Sequence, residues 1–210
     1  MSVAAAAILA GGRGRRLGGV CKPLLVVDGL TIVQRQLEVL LPRVPEVLLL
    51  VADLASWQDW SGPARLVVDD EPGQGPLGGL ATALRITGGS VLLVAGDLPH
   101  LSPALVDALL CDEGEGDGDG GDSHDPDPDA VVPRPHGRPQ PLCARYSPRT
   151  LSPLLRRLAA QQRRAVELLT ELRVRWIDDA ELAALDPDGR ALTNLNTPAD
   201  LDLDARGPMR

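Results

Sequence analysis

Short aliphatic runs recur along this 210-residue chain, at residues 3–9, 24–27, 47–51, 66–68, 91–95, 130–133, 142–146 and 174–177. Runs this short, rich in Val, Leu and Ile and bounded by Gly, Pro and Asp, suit strands covered on both faces. The segments between them carry helical spacing. Thr31 is placed to cap a helix running to about Leu41, with Ile32, Val33, Leu37, Leu40 and Leu41 on one face and Pro42 closing it. Further helices are expected around Trp57 and Trp60, from the Gly-Pro turn at 75–76 to about Ile86, from near Pro103, over 147–160, over 164–172 and around 180–185. Such alternation predicts βαβ units and therefore an α/β fold with a mostly parallel sheet.

The length suits one domain over residues 1–210, and no internal repeat points to an array. No apolar run approaches the roughly 20 residues that span a bilayer, and the N-terminus lacks a basic n-region, so a cytoplasmic protein is expected. Cys21, Cys111 and Cys143 form neither a CxxC pair nor an even set, which predicts free thiols rather than disulfides or structural zinc. The formal charge of −8 is misleading. Residues 112–129 hold nine Asp or Glu and no Lys or Arg, and the rest of the chain carries +1. With Gly, Asp and Pro and no apolar side chain, that segment is expected to be a disordered, dispensable surface insertion.

The chemistry concentrates where the first run ends. Between Ala10 and Lys22 lie five glycines and three arginines. Glycines let backbone N–H groups close around phosphate oxygens while cations compensate the charge. Lys22 is the only lysine among 21 basic residues, so a chain that otherwise uses Arg keeps a compact ammonium at this point. The loop is neither a Walker A motif, since Lys22 stands between Cys21 and Pro23, nor a dinucleotide fingerprint, since Leu17 occupies the third glycine's place. A second glycine-rich turn, residues 73–79, follows Asp69 and Asp70 and opens a helix. Asp97, in Gly96-Asp97-Leu98-Pro99, sits where open parallel sheets bind ligands. Taken alone it reads equally as a turn residue or as a hard oxygen ligand for Mg2+.

These segments, in this order, resemble those of the molybdenum cofactor guanylyltransferase (molybdopterin-guanine dinucleotide synthase) family. The resemblance rests on Leu9-Ala10-Gly11-Gly12, Arg16, Leu17, Gly18 and Lys22, and on Gly75-Pro76-Leu77-Gly78-Gly79 after an acidic residue. Asp97 two residues before Pro99, Arg163-Arg164-Ala165-Val166 and Asn194-Leu195-Asn196-Thr197-Pro198 extend it over nearly the whole chain. It implies a three-layer α/β/α sandwich of the nucleotide-diphosphosugar transferase type. It also implies transfer of GMP from GTP to the terminal phosphate of molybdenum-loaded molybdopterin, with release of pyrophosphate.

On this resemblance, Leu9, Ala10, Gly11 and Gly12 hold base and ribose, Arg16 and Lys22 the triphosphate, Asp70 the nucleotide and Asp97 the Mg2+ cofactor. Arg16, Lys22 and Asp97 are the candidate catalytic residues. The acceptor pterin is assigned to Arg134, His136 and Arg138, and to Asn194 and Asn196, whose amides by chemistry alone suit metal, pterin or backbone equally. Thr197 is expected to cap a final helix with Pro198 in its first position. Partners implied are the two substrates and transient contacts with molybdopterin-delivering and molybdoenzyme-maturation proteins, with no nucleic acid and no membrane. Two departures stand out: Cys21 replaces a frequent Asp before the lysine, and Leu50-Val51-Ala52-Asp53 lacks an Asn common in the family. Alternative readings are a molybdopterin cytidylyltransferase, whose loop usually has Ala at the position of Gly11, another small-molecule nucleotidyltransferase, or a non-catalytic nucleotide-binding partner.

Overall fold

The computed structural model of the protein describes residues 3–11, 21–70, 73–111 and 127–195. Its first strand, β1 (Val3–Leu9), lies inside the sheet, and Ala5, Ala6, Ala7 and Ile8 are all fully buried. Small side chains here let helices approach the middle of the sheet from both sides. β4 (Val47–Val51) and β6 (Ser90–Ala95) flank β1 in parallel and are buried at every position, which is why they read as unbroken apolar runs. With β5 (Arg65–Val68), β7 (Ala130–Pro133), β8 (Cys143–Tyr146) and β9 (Val174–Ile177), they form a sheet of order β5-β4-β1-β6-β8-β7-β9. Only β8 among these runs against its neighbours, pairing antiparallel with both β6 and β7.

Strand alternation sends neighbouring side chains to opposite faces. Ala6, Ile8, Leu49, Leu92 and Val94 meet α1 (Ile32–Leu40), α3 (Pro103–Leu110) and α6 (Asp179–Leu185) on one side. Ala5, Ala7, Leu48, Leu50 and Leu93 meet α2 (Pro76–Thr87), α4 (Leu151–Ala159) and α5 (Ala165–Leu168) on the other. The result is the three-layer α/β/α arrangement with a mostly parallel sheet. α1 begins as expected, with Thr31 in a reciprocal capping box with Gln34. Trp57 and Trp60 pack edge to face at 5.5 Å, and the Trp60 Nε1–H donates to the Ala64 carbonyl, so the pair is packing rather than a base-stacking platform.

Three expectations need correction. Residues 24–27 are not one strand: Lys22–Leu24 is a 3-10 turn, and β2 (Val26–Val27) pairs with β3 (Leu30–Thr31) in a separate hairpin. Asp28 and Gly29, with φ of 50° and 85°, make the turn, because positive φ at both central residues matches the twist of a two-residue hairpin. The helix expected over 164–172 divides into α5 and a 3-10 turn, Leu169–Glu171.

The acidic segment is also shorter than the composition suggested. Residues 112–126 lie outside the described residues, but Asp129 is a structural hub with its side chain only 14% exposed. Its carboxylate accepts from Arg149 Nε at 2.9 Å and from the Arg173 backbone N–H at 3.0 Å. Its carbonyl accepts from the Ser147 N–H and the Thr150 hydroxyl. Burial pushes the Asp129 carboxyl up, yet the hydrogen bonds from Arg173 and Arg149 outweigh it and hold the group below the usual carboxylate range.

A depressed folded-state pKa contributes stability above the unfolded value of about 3.9, and that contribution is lost as pH falls through the folded value. Replacing residues 112–126 by a short Gly/Ser linker is therefore expected to leave thermal stability nearly unchanged at pH 7. Asp129→Asn should lower it by about 1–3 kcal/mol and flatten its decline below about pH 4. Thermal unfolding of both variants between pH 7 and pH 3 checks this, and equal loss in the two would refute it.

Candidate active site

β1, β4, β5 and β6 are mutually parallel, so the segments that follow them emerge along one edge of the sheet. Ala10-Gly11, Ala52-Asp53, Asp69-Asp70 and Gly96-Asp97 thus meet at the carboxyl ends, the position where open α/β sheets bind ligands. Ala10 donates its N–H to Leu50 O and Gly96 donates its own to Leu9 O, which pins the three central exits together.

Gly96 is required by close approach. A Cβ built there would lie 2.5 Å from Leu9 O and 2.7 Å from Pro23 Cγ. Only a residue without a side chain lets the exit of β6 lie against both β1 and the 3-10 turn that starts at Lys22. The consequence crosses 75 positions of sequence: Lys22 Nζ donates to Asp97 Oδ2 at 3.0 Å. Both side chains are partly open, at 23% and 20%. Behind them the Asp97 carbonyl accepts from the Leu195 N–H at 2.9 Å, so the late Asn-containing segment is tied to the same loop.

Asp97 forms one end of a cleft of about 580 Å³. Ala95 and Leu98 line it from the β6 side, residues 140–143 at the start of β8 line it beside them, where the Ala95 N–H donates to Leu142 O, and Pro76 of α2, Leu192 and Asn194 also line it. Residues 163–167, at the start of α5, bring Arg163 and Arg164 to its rim. Arg163 Nη1 donates to Gly73 O at 3.0 Å, joining that rim to the second glycine turn. Mostly apolar walls, with Arg163, Arg164 and Glu167 among the lining residues and Arg164 Nη1 3.5 Å from Glu167 Oε1, suit a flat ligand carrying phosphate. Cys143, buried in the wall, has its thiol pushed up to about 12 by burial and stays neutral. The Tyr146 hydroxyl donates to Pro141 O at 2.7 Å and fixes the turn bearing Gln140.

The other sequence-predicted residues fall as follows. Leu9, Ala10 and Gly11 lie at the end of β1, beside the Lys22–Asp97 pair. Gly12, Arg16 and Asn196 lie outside the described residues, as do Thr197 and Pro198. Asp70 is exposed at the rim beyond β5, whereas Asp69 is turned inward and accepts from the Thr82 hydroxyl at 3.0 Å. Asn194 lines the cleft.

Arg134 and His136 do not line it. The Arg134 guanidinium donates to Asp178 and stacks over Trp176 at 4.7 Å, and the His136 N–H donates to Asp179 Oδ1. Arg138 is exposed in the same turn, also outside the cleft lining. The basic groups that reach the cleft are Arg163 and Arg164 instead. Their doublet was visible in the sequence, but only the packing of α5 against α4 aims it at the site.

Cys21, beside Lys22, has its thiol raised first by burial and further by the Asp53 carboxylate, against a lowering hydrogen bond from the Leu24 N–H. It therefore remains a neutral neighbour of the lysine. All three cysteines are free thiols, as expected. No helix among the described residues is long and apolar enough to cross a membrane.

Residues 6–176 match the family described as a MobA-like NTP transferase domain. The chain is 39% identical over 204 residues to a probable molybdenum cofactor guanylyltransferase of Chloroflexus aggregans, covering 93% of this chain and 90% of that protein. It is 34% identical over 201 residues to a protein of the same description from Methanothermobacter thermautotrophicus, covering 93% and 95%. Among solved structures it is similar to molybdopterin-guanine dinucleotide biosynthesis protein A from Archaeoglobus fulgidus. The TM-score there is 0.78 at 28% identity, covering 96% of this chain and 97% of that one.

Proposed function

The chain belongs to the MobA-like NTP transferase family, and from that premise we propose that it transfers GMP from GTP to the terminal phosphate of molybdenum-loaded molybdopterin. An acceptor phosphate oxygen attacks the α-phosphorus of GTP, a new P–O–P bond forms, the α–β phosphoanhydride breaks and pyrophosphate leaves. The protein's part is positioning and charge compensation rather than covalent chemistry. The observation that carries this reading is the Lys22–Asp97 pair, an ammonium and a carboxylate 3.0 Å apart at the sheet edge, of which Asp97 lines the cleft.

Residues 9–12 receive base and ribose, Lys22 and Arg16 meet the triphosphate, and Asp70 contacts the nucleotide from the rim. The acceptor occupies the cleft, its phosphate facing Arg163 and Arg164 and its ring system the wall at Gln140 and Asn194. A cofactor Mg2+ fits this donor set. Among the described residues no group of three or more His, Cys, Asp or Glu forms a cage, and Mg2+ bound with a nucleotide needs only one or two carboxylates besides phosphates and water. Asp97 would hold it, and the ion would neutralise charge on the phosphates.

Guanine is favoured by the resemblance, since Gly11 stands where a cytidylyltransferase usually has Ala. A Cβ there would also lie 3.1 Å from Ala52 N, so the glycine suits the close approach of the β1 exit to the main chain leaving β4. Pyrophosphate release from GTP, CTP and ATP, each with Mg2+ and molybdopterin, tests the reading. GTP should be used at least about tenfold better, a difference worth roughly 1.4 kcal/mol. Preference for CTP would make the protein a cytidylyltransferase, and no release with any nucleotide would leave it a binding partner only.

A further inference from the structure

We infer that Gln36 is a positioning residue for Asp97, an inference that rests on the role proposed for Asp97 above. Gln36 lies on α1, the helix that packs one face of the sheet, and its side chain is fully buried. Its Nε2 donates to Ala95 O at 2.8 Å and to Leu98 O at 3.0 Å, 59 and 62 positions away. Those carbonyls lie on either side of Asp97. One planar amide therefore spans the turn that presents the carboxylate, and neither N–H can rotate away without giving up the other's bond.

The neighbouring residues hold the same turn from outside. Arg35 Nε donates to Pro99 O at 2.9 Å and its Nη1 to Val27 O at 3.2 Å, while the Leu195 N–H holds Asp97 O. Carbonyls 95, 97, 98 and 99 all accept hydrogen bonds from distant parts of the chain. Gln36 is the one donor among these that reaches both sides of Asp97 from within the core.

The arrangement is not optimised for stability. Among the described residues Gln36 Oε1 is buried without a hydrogen-bond partner, and an unmatched buried acceptor is costly. A methionine of similar length would remove that acceptor but would also take the donors from Ala95 O and Leu98 O. Polar groups kept at such a cost are expected where they hold a functional geometry. The carboxylate gains what the cost sustains: a backbone that does not move when Lys22 exchanges Asp97 for phosphate.

The test compares Gln36→Met and Gln36→Asn with the parent, alone and combined with Asp97→Asn. Gln36→Met should lower kcat by about 10- to 100-fold, with KM for GTP changed less than about threefold and a melting temperature within about 8 °C of the parent. Gln36→Asn, which keeps an amide on a shorter stem, should fall between the two, and it carries the test if the Met variant does not fold. Because Gln36 acts through Asp97, the Met substitution should cost little more in the Asp97→Asn background. Equal losses in both backgrounds would show a merely structural role and overturn the inference. Parental kcat in Gln36→Met, with Asp97→Asn inactive, would overturn it while leaving the reading of the site intact. Parental turnover in Asp97→Asn would remove that reading and the inference with it.

Discussion

Asp97→Asn is expected to fold normally and to lose at least about 10²-fold in turnover. The fold should survive because the turn is held through main-chain carbonyls, by Gln36, Arg35 and Leu195, none of which needs the carboxylate. Among the described residues the carboxylate's partner is Lys22, and with both side chains partly open to solvent such a pair contributes about 1 kcal/mol. The loss should fall on turnover because a neutral amide neither binds Mg2+ as a carboxylate does nor balances the ammonium beside it. Thermal unfolding and pyrophosphate release at saturating Mg2+ check both halves. Parental turnover would show that Asp97 is only a turn residue, the reading its sequence context equally allowed.

Lys22 carries the second large effect. Its ammonium donates to Asp97 Oδ2 at 3.0 Å. When triphosphate enters, the same ammonium has only to turn from one set of oxygens to another, so its charge is already in place as negative charge builds on the leaving pyrophosphate. A preorganised cation of this kind is worth roughly 10²- to 10³-fold in rate, and Lys22→Ala should lose about that. Lys22→Arg should also be impaired. A planar five-donor fork does not occupy the position of a point charge 3.0 Å from the Asp97 carboxylate.

The chain's single lysine makes occupancy directly observable. An amine-reactive reagent has only Lys22 and the N-terminus to label, and mass spectrometry separates the two sites. Mg-GTP is expected to protect Lys22 and leave the N-terminus reactive. Equal labelling of Lys22 with and without saturating Mg-GTP, or full activity of Lys22→Arg, would remove the phosphate role.

Several features of the site were legible along the chain because they are local. A strand ending in glycines, a lone lysine followed by proline, and an Asp closing a buried apolar run are each written in consecutive residues. The capping box at Thr31 and Gln34 was equally readable, since both partners lie within one helical turn. The short reach of such signals also explains the errors. The run at 24–27 has strand composition, yet Leu24 is drawn into a 3-10 turn whose Pro23 packs against Gly96. Asp129 looked like the last residue of a solvated acidic stretch because the groups that hold it, Arg149 and Arg173, are 20 and 44 residues away.

The sequence by itself determined the layer architecture, because runs buried on both faces demand helices above and below them, and it placed Lys22 and Asp97 at strand exits. Tertiary structure decided which of the cations line the cleft. Arg134 and His136 are drawn to Asp178 and Asp179 at the end of β9, while Arg163 and Arg164 reach the cleft rim from the start of α5. It also decided that β8 runs against its neighbours, which brings residues 140–143 to the same edge as Asp97. Neither outcome is encoded in any window of consecutive residues. Both follow from which buried faces pack together once the sheet has formed, and from the carboxylates and carbonyls that the packing leaves within reach of each guanidinium.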